Sequence, residues 1–234
     1  MHALSNMALL ELWERGRGAS PIDRALLLLA AAVPGVDSAA LARFSIPRRD
    51  AAVLALRRRA LGPALPGVAD CPACGERLEF DFDADTLLDT AADTEPEPVR
   101  VGELRFRLPN SSDLAVAAAI ADSQRATRQL LQRCCLDAGS GEAWSDDVLA
   151  QAEAALSAHA GAADTRFHFD CAACGVAWDA PFDICAYFWE EVEGRAQALL
   201  DDVHRLALAY GWDEQRILAL SAARRDAYLS RCDR

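Results

Sequence analysis

The chain has 234 residues, 52% of them hydrophobic, and a formal net charge of −12. It has no long uncharged apolar run to cross a bilayer, and its length is enough for a sizeable core in one large domain or two small ones. The negative charge repels phosphate backbones and anionic membrane surfaces, so neither nucleic acid nor a membrane is an expected partner.

The opening residues MHALSNMALLELWERGRG carry Glu11 and Glu14 and lack a basic start before a long apolar run. No secretory signal is read there, and a cytoplasmic protein is expected. Leu9, Leu12 and Trp13 share one helical face. Ser20-Pro21 places a cap before a proline at the first position of a second helix, which Pro34-Gly35 ends. A short helix from about Ser38 to Phe44 comes next. In IPRRDAAVLALRRRALG, the residues Val53, Leu54, Leu56 and Leu61 make an apolar stripe that Gly62-Pro63 stops. The run Arg57, Arg58, Arg59 is read as a solvated helix face, since no aromatic interleaves it as a nucleic-acid contact would favour.

The chain then writes DCPACGERLEF and, much later, DCAACGVAWDA, with Cys171 ninety-seven positions after Cys74. Eight cysteines in a chain expected to be cytosolic point to metal ligands or buried thiols rather than a disulfide framework. In each Cys-x-x-Cys-Gly segment a tight turn aims both sulfurs at one point, and the glycine lets backbone amides face the thiolates. Leu78, Phe80 and Phe82 alternate after the first pair. Phe167 and Phe169 alternate before the second, with Val176 and Trp178 after it, so both pairs sit on strand-like sequence. The expected site is one tetrahedral Zn2+ held by Cys71, Cys74, Cys171 and Cys174 in a zinc ribbon, with Cys134, Cys135, Cys185 and Cys232 outside it. Thiol redox catalysis is the competing reading, but it needs a helix opening at the Cys-x-x-Cys pair, and the residues after each pair are strand-like.

Between the knuckles, seven acidic residues (Asp81, Asp83, Asp85, Asp89, Asp93, Glu95, Glu97) occur without a basic one and end in EPEP, which reads as a mobile linker or exposed loop. Short strands are expected around Val99 to Val101 and Glu103 to Leu108, with Gly102 between them. Asn110 to Asp113 open a helical stretch reaching Leu136 with a break at Asp122, and Ser145 caps another helix ending near His159. After the second knuckle, Ile184, Phe188, Val192, Ala196, Leu199, Val203, Leu206 and Tyr210 recur at helical spacing along one long helix. Tyr187, Phe188 and Trp189 cannot all face one way, which leaves aromatic surface for a partner. Asp213 and Ser221 cap two short closing helices.

The expected class is α+β, predominantly α-helical. Helical bundle regions (1–69 and 182–234) join a ribbon made of 70–83 and 165–181, interrupted by a mainly helical insertion over 84–164. His2, His159, His168 and His204 are scattered without a nucleophile at motif spacing, and His168 reads as a ribbon surface residue or a support for the metal. No hydrolase, nucleotide-binding or metalloprotease motif appears. A four-thiolate zinc has no open position for water, so no enzyme is expected.

SPIDRALLLLAAAVPG, RDAAVLALRRRALGP, the CPACG knuckle with LEFDFD, and then DCAACGVAWDAPFDICAYFWEEV with DDVHRLALAYGWDEQRILALSAARRDAYL together resemble a family of small proteins. These proteins are encoded beside contractile phage tails and related injection systems, akin to the T-even baseplate hub assembly chaperones. The resemblance covers about 20–80 and 165–230. It implies a non-enzymatic role in baseplate or hub assembly, with baseplate, hub or spike proteins as partners, and carries over the four knuckle cysteines as ligands. The alternative from the ribbon alone is a nucleic-acid-associated regulatory protein, which the charge disfavours.

Overall fold

The computed structural model describes residues 4–89, 94–137, 144–159 and 165–232. Asp93 and the expected insertion boundary at 164 lie outside the described residues. The chain divides into two compact units, Met1–Ser20 with Ala186–Arg234, and Pro21–Cys185. Among the described residues it is mostly helical with three small antiparallel hairpins, an α+β architecture. Among the described residues no helix is long and apolar enough to cross a membrane.

The first unit is helical. Its α1 (Asn6–Gly16) begins where the Ser5 hydroxyl accepts the Ala8 amide, and the Asn6 side chain donates to the Leu218 carbonyl at 3.0 Å. The long helix α9 (Ile184–Tyr210) contributes most of its length here, followed by α10 (Glu214–Leu218) and α11 (Ala222–Cys232). Leu206, Ile217 and Leu229 form the core of these last three helices, and Arg225 reaches Asp202 at 2.7 Å. Gly16 is fixed by close approach: a Cβ there would stand 2.0 Å from the Trp189 ring. Of the three consecutive aromatics, Phe188 and Trp189 are buried and Tyr187 half-buried, so this stretch leaves less aromatic surface than expected. The expected stripe on α9 is buried from Ile184 to Leu206 except for the half-buried Val203, and it ends at Tyr210, which is exposed.

In the second unit, α2 (Pro21–Ala32) packs on α4 (Ile46–Leu61), with the short α3 (Ser38–Leu41) between them in sequence. The expected helix to Phe44 is shorter because the chain tightens into i to i+3 bonds from Arg43 to Ala40 and from Phe44 to Leu41. Gly62 ends α4 at φ +92°. The arginine run does not form one solvated face. Arg57 is buried and donates to the carbonyls of Gly62 and Ala64, pinning the end of α4 to the next strand, while Arg58 pairs with Asp85.

That strand, β1 (Ala64–Asp70), pairs antiparallel with β2 (Arg77–Asp83). The acidic run after the first knuckle is not a linker along its described length. Its first residues belong to β2, and Asp83 caps α5 (Ala84–Leu88) by accepting the Asp85 amide at 2.8 Å. Glu95 accepts the Ser45 amide and pairs with Arg48. Carboxylates here serve as caps and ion-pair acceptors, roles that composition alone does not reveal.

The segment between the knuckles builds β3 (Val99–Val101) and β4 (Leu104–Phe106), then α6 (Ser111–Ala118), α7 (Ser123–Cys134) and α8 (Asp146–Ala158). Phe106, Leu108, Leu131, Trp144 and Leu156 form its core, with Cys134 buried among them. It is tied to the start of α4: the Ile46 amide donates to the Pro109 carbonyl, and Arg49 reaches the Ser111 hydroxyl. Its polar centre is Asp113, fully buried at the N-terminus of α6 in a capping box with Asn110. Arg107 grips the carboxylate with both terminal nitrogens, and Arg133 Nε lies 2.9 Å from Oδ1. Burial opposes ionisation of Asp113, but the Arg107 and Asn110 hydrogen bonds outweigh it and hold the carboxyl below its ordinary range.

We expect Asp113→Ala to cost about 2–3 kcal/mol in urea unfolding, less than a fully buried pair because both arginines are partly exposed. The lowered pKa means this contribution is complete above the unfolded carboxyl value near pH 3.9 and is lost as pH falls through the lower folded value. The variant's stability should therefore approach the wild type's as pH falls through that lower folded value.

Candidate metal centre

Two hairpins make the site. The second is β5 (Arg166–Asp170) paired with β6 (Ala177–Pro181). Each residue of the first knuckle region has its counterpart one hundred positions later: Asp70 and Asp170, Cys71 and Cys171, Cys74 and Cys174, Gly75 and Gly175, Phe82 and Phe182, Asp83 and Asp183. The turns match in their bonds. The Cys71 amide donates to the Glu76 carbonyl at 2.8 Å and Gly75 to Cys71 at 2.9 Å; Cys171 donates to Val176 at 2.9 Å and Gly175 to Cys171 at 2.8 Å. Both glycines take positive φ, +76° and +74°, where a side chain would strain the turn. Asp83 and Asp183 then each accept an amide at the start of the next helix.

The hairpins face each other through aromatic rings. Phe82 stacks on Phe167 with centroids 3.7 Å apart, and Phe80 meets Phe167 at 5.8 Å and Phe169 at 5.2 Å. Such pairs add about 0.5–1.5 kcal/mol each beyond the area they bury. The large residue changes strand between the copies. Gly67 stands across from Phe80 in the first hairpin, and Phe167 across from Ala180 in the second. A Cβ on Gly67 would lie 2.3 Å from the Phe80 ring, so this glycine is what lets Phe80 cross its own hairpin.

With the hairpins face to face, the four cysteine sulfurs lie within 4.8 Å of one another. Cys71 Sγ is 3.7 Å from Cys174 Sγ, and Cys74 Sγ is 3.6 Å from Cys171 Sγ. Four sulfurs about 2.3 Å from one tetrahedral ion stand about 3.8 Å apart, so this donor set fits a single four-thiolate ion. Burial opposes ionisation of Cys71, but the amides of Ala73 and Cys74 bring its thiol down to about 7. At Cys74 the Glu76 amide favours the thiolate, yet the Cys174 and Cys171 thiols push it up to about 12. One sulfur of the cluster accepts negative charge readily and its neighbour resists it. A cation held at the centre would favour the thiolate form of all four sulfurs.

The four cysteines that the sequence singles out are thus brought together. Cys134 packs in the core of the intervening segment, and the buried Cys185 donates to Asp50 Oδ1, itself paired with Arg49 at 2.7 Å. His168 does not turn toward the sulfurs. Its Nδ1 lies 2.7 Å from Asp179 Oδ1 on the exposed face of the second hairpin, and this bond raises the imidazole pKa. Sequence reasoning missed β1, whose Pro66 and Gly67 suppress a strand signal; the hundred-residue offset was the available clue, since β5 is its counterpart. No protein-family model, no curated protein and no solved structure matches this chain.

We expect Gly67→Ala to cost about 1–3 kcal/mol, because either the Phe80 ring or the β1 backbone must shift. Gly67→Ala with Phe80→Leu should recover part of the loss in thermal unfolding, since the smaller side chain vacates the space the new methyl needs.

Proposed function

We propose that Cys71, Cys74, Cys171 and Cys174 hold one Zn2+ as a closed structural clasp in a zinc ribbon. On this reading the protein is a non-enzymatic, cytoplasmic assembly factor or structural component of a contractile, phage-tail-like particle, acting on its baseplate or hub proteins. The observation that carries the proposal is the four-sulfur cluster joining hairpins about a hundred residues apart. Tetrahedral thiolate sets suit zinc or iron, and zinc needs no redox partner to serve as a permanent joint. Four protein ligands leave no position for a reacting water, which favours a scaffold over a hydrolase. The contractile-particle part of the proposal is supported by the resemblance of residues 20–80 and 165–230 to proteins of that family.

The charge arrangement supports protein over nucleic acid as the partner. Around the knuckles stand Asp70, Glu76, Glu79, Asp81, Asp170 and Asp179, against Arg77 and Arg166, and Arg77 pairs with Asp70. The basic run on α4 gives up two of its three arginines to Gly62, Ala64 and Asp85. Such a surface repels phosphates and attracts basic patches on proteins.

Metal analysis of the purified chain should find one zinc per protein. Cys71→Ser should lose it and lower Tm by at least about 10 °C, because the binding energy of a structural zinc is folding energy; full stability with retained zinc would contradict the shared site. Affinity capture from native cells followed by mass spectrometry should recover baseplate, hub or spike proteins. Recovery of polymerase, ribosome or nucleic acid in their place would overturn the assembly role.

A further inference from the structure

The four cysteines differ in access. Cys71 and Cys171 are 3% and 2% exposed, whereas Cys74 and Cys174 are exposed. Two sulfur contacts each join a buried cysteine of one knuckle to the exposed cysteine of the other, at 3.7 and 3.6 Å. Those distances are set by the two hairpins, and the hairpins are held together by the stack of Phe80, Phe82, Phe167 and Phe169 as well as by the sulfurs.

We infer that Cys74 and Cys174 are sites of modification by hydrogen peroxide, and that their oxidation replaces the metal with two disulfides running between the knuckles, Cys74 to Cys171 and Cys71 to Cys174. This rests on the zinc site proposed for the same four sulfurs. An exposed thiolate attacks one peroxide oxygen, the S–O bond forms as the O–O bond breaks, and the sulfur becomes a sulfenic acid with release of hydroxide. The buried thiolate of the other knuckle then attacks that sulfur and expels a second hydroxide as the S–S bond forms. For the whole site, four thiolates and two peroxides give two disulfides and four hydroxides, and Zn2+ leaves to solvent. Peroxide is reduced, sulfur is oxidised, and the metal keeps its charge throughout. The linkage across hairpins is a matter of position: the exposed sulfur of each knuckle stands 3.6 or 3.7 Å from the buried sulfur of the other. The joint therefore changes from ionic to covalent without separating the hairpins.

The test uses the zinc-loaded full chain, titrated with hydrogen peroxide while a chromogenic chelator reports free zinc, then digested without reduction and mapped by mass spectrometry. We expect release of one zinc per chain as two equivalents of peroxide are consumed, with peptides joined 74 to 171 and 71 to 174. The double variant Cys135→Ser, Cys232→Ser, which removes the two other thiols that are not buried, should release zinc at the same rate. Peptides joined 71 to 74 and 171 to 174, or zinc release that disappears in the double variant, would overturn the inference while leaving the zinc site intact. A purified chain that contains no zinc overturns the zinc reading and this inference together.

Discussion

The two hairpins must meet across about a hundred residues of chain, and the rest of the larger unit is organised around that closure. Bringing the ends of such a loop together costs on the order of 4 kcal/mol of chain entropy before any contact is made. Hairpins of two strands bury too little to recover that cost alone and are marginal by themselves in water. Two features offset it here. The rings of Phe80, Phe82, Phe167 and Phe169 give the hairpins an apolar face, and the four sulfurs converge at its end. A two-stranded hairpin has little freedom to slip once its register is set by knuckle bonds at one end and a capped helix at the other. Each face therefore arrives formed.

The long excursion between the knuckles is tolerated because it folds on its own terms and is tethered early. Its core of Phe106, Leu131, Trp144 and Leu156 lies within the segment, and its contacts to the start of α4 come from the Pro109 carbonyl and Ser111, near its first half. Asp113 joins the levels: it caps α6, takes both arms of Arg107 and gathers Arg133 from the end of α7. One buried carboxylate thus fixes the strand, the helix after it and the next helix in turn. A segment so ordered takes far less freedom from the hairpin closure than a random chain of equal length.

How much of this was legible varied with the kind of signal. Helices with an apolar stripe and explicit punctuation came out close to their observed bounds, as with Gly62 ending α4 and Ser145 capping α8, and the expected break at Asp122 is the start of α7. The convergence of Cys71, Cys74, Cys171 and Cys174 was legible because the Cys-x-x-Cys-Gly turn is a local geometry with few other uses. What failed were readings of composition. The acidic run seemed a linker because charge density disfavours burial, yet the same aspartates are good caps, and Asp83 begins α5. Arg57 seemed solvated because arginine usually is, yet two backbone carbonyls left over at the α4 to β1 corner needed a donor, and a buried guanidinium supplies several. Neither demand is visible until the chain is folded, since both are set by backbone groups whose partners are missing rather than by the side chain's own preference.

The exchange of large and small residues between the hairpins says why each pairs with the other. Two identical copies with Phe at position 80 and glycine at position 67 would place the aromatic excess on the same strand twice, leaving rings opposed on one side and a gap on the other. In this chain Phe80 with Gly67 meets Phe167 with Ala180, so the ring that one hairpin carries on its second strand is answered by a ring on the first strand of its partner. The knuckles are interchangeable in their bonds, and the ring arrangement is not. The unlike rings fill the space between the two hairpins, and the sulfurs converge at its end. The two knuckles supply four thiols through equivalent backbone turns, and the unlike rings supply the contact between the hairpins that carry them.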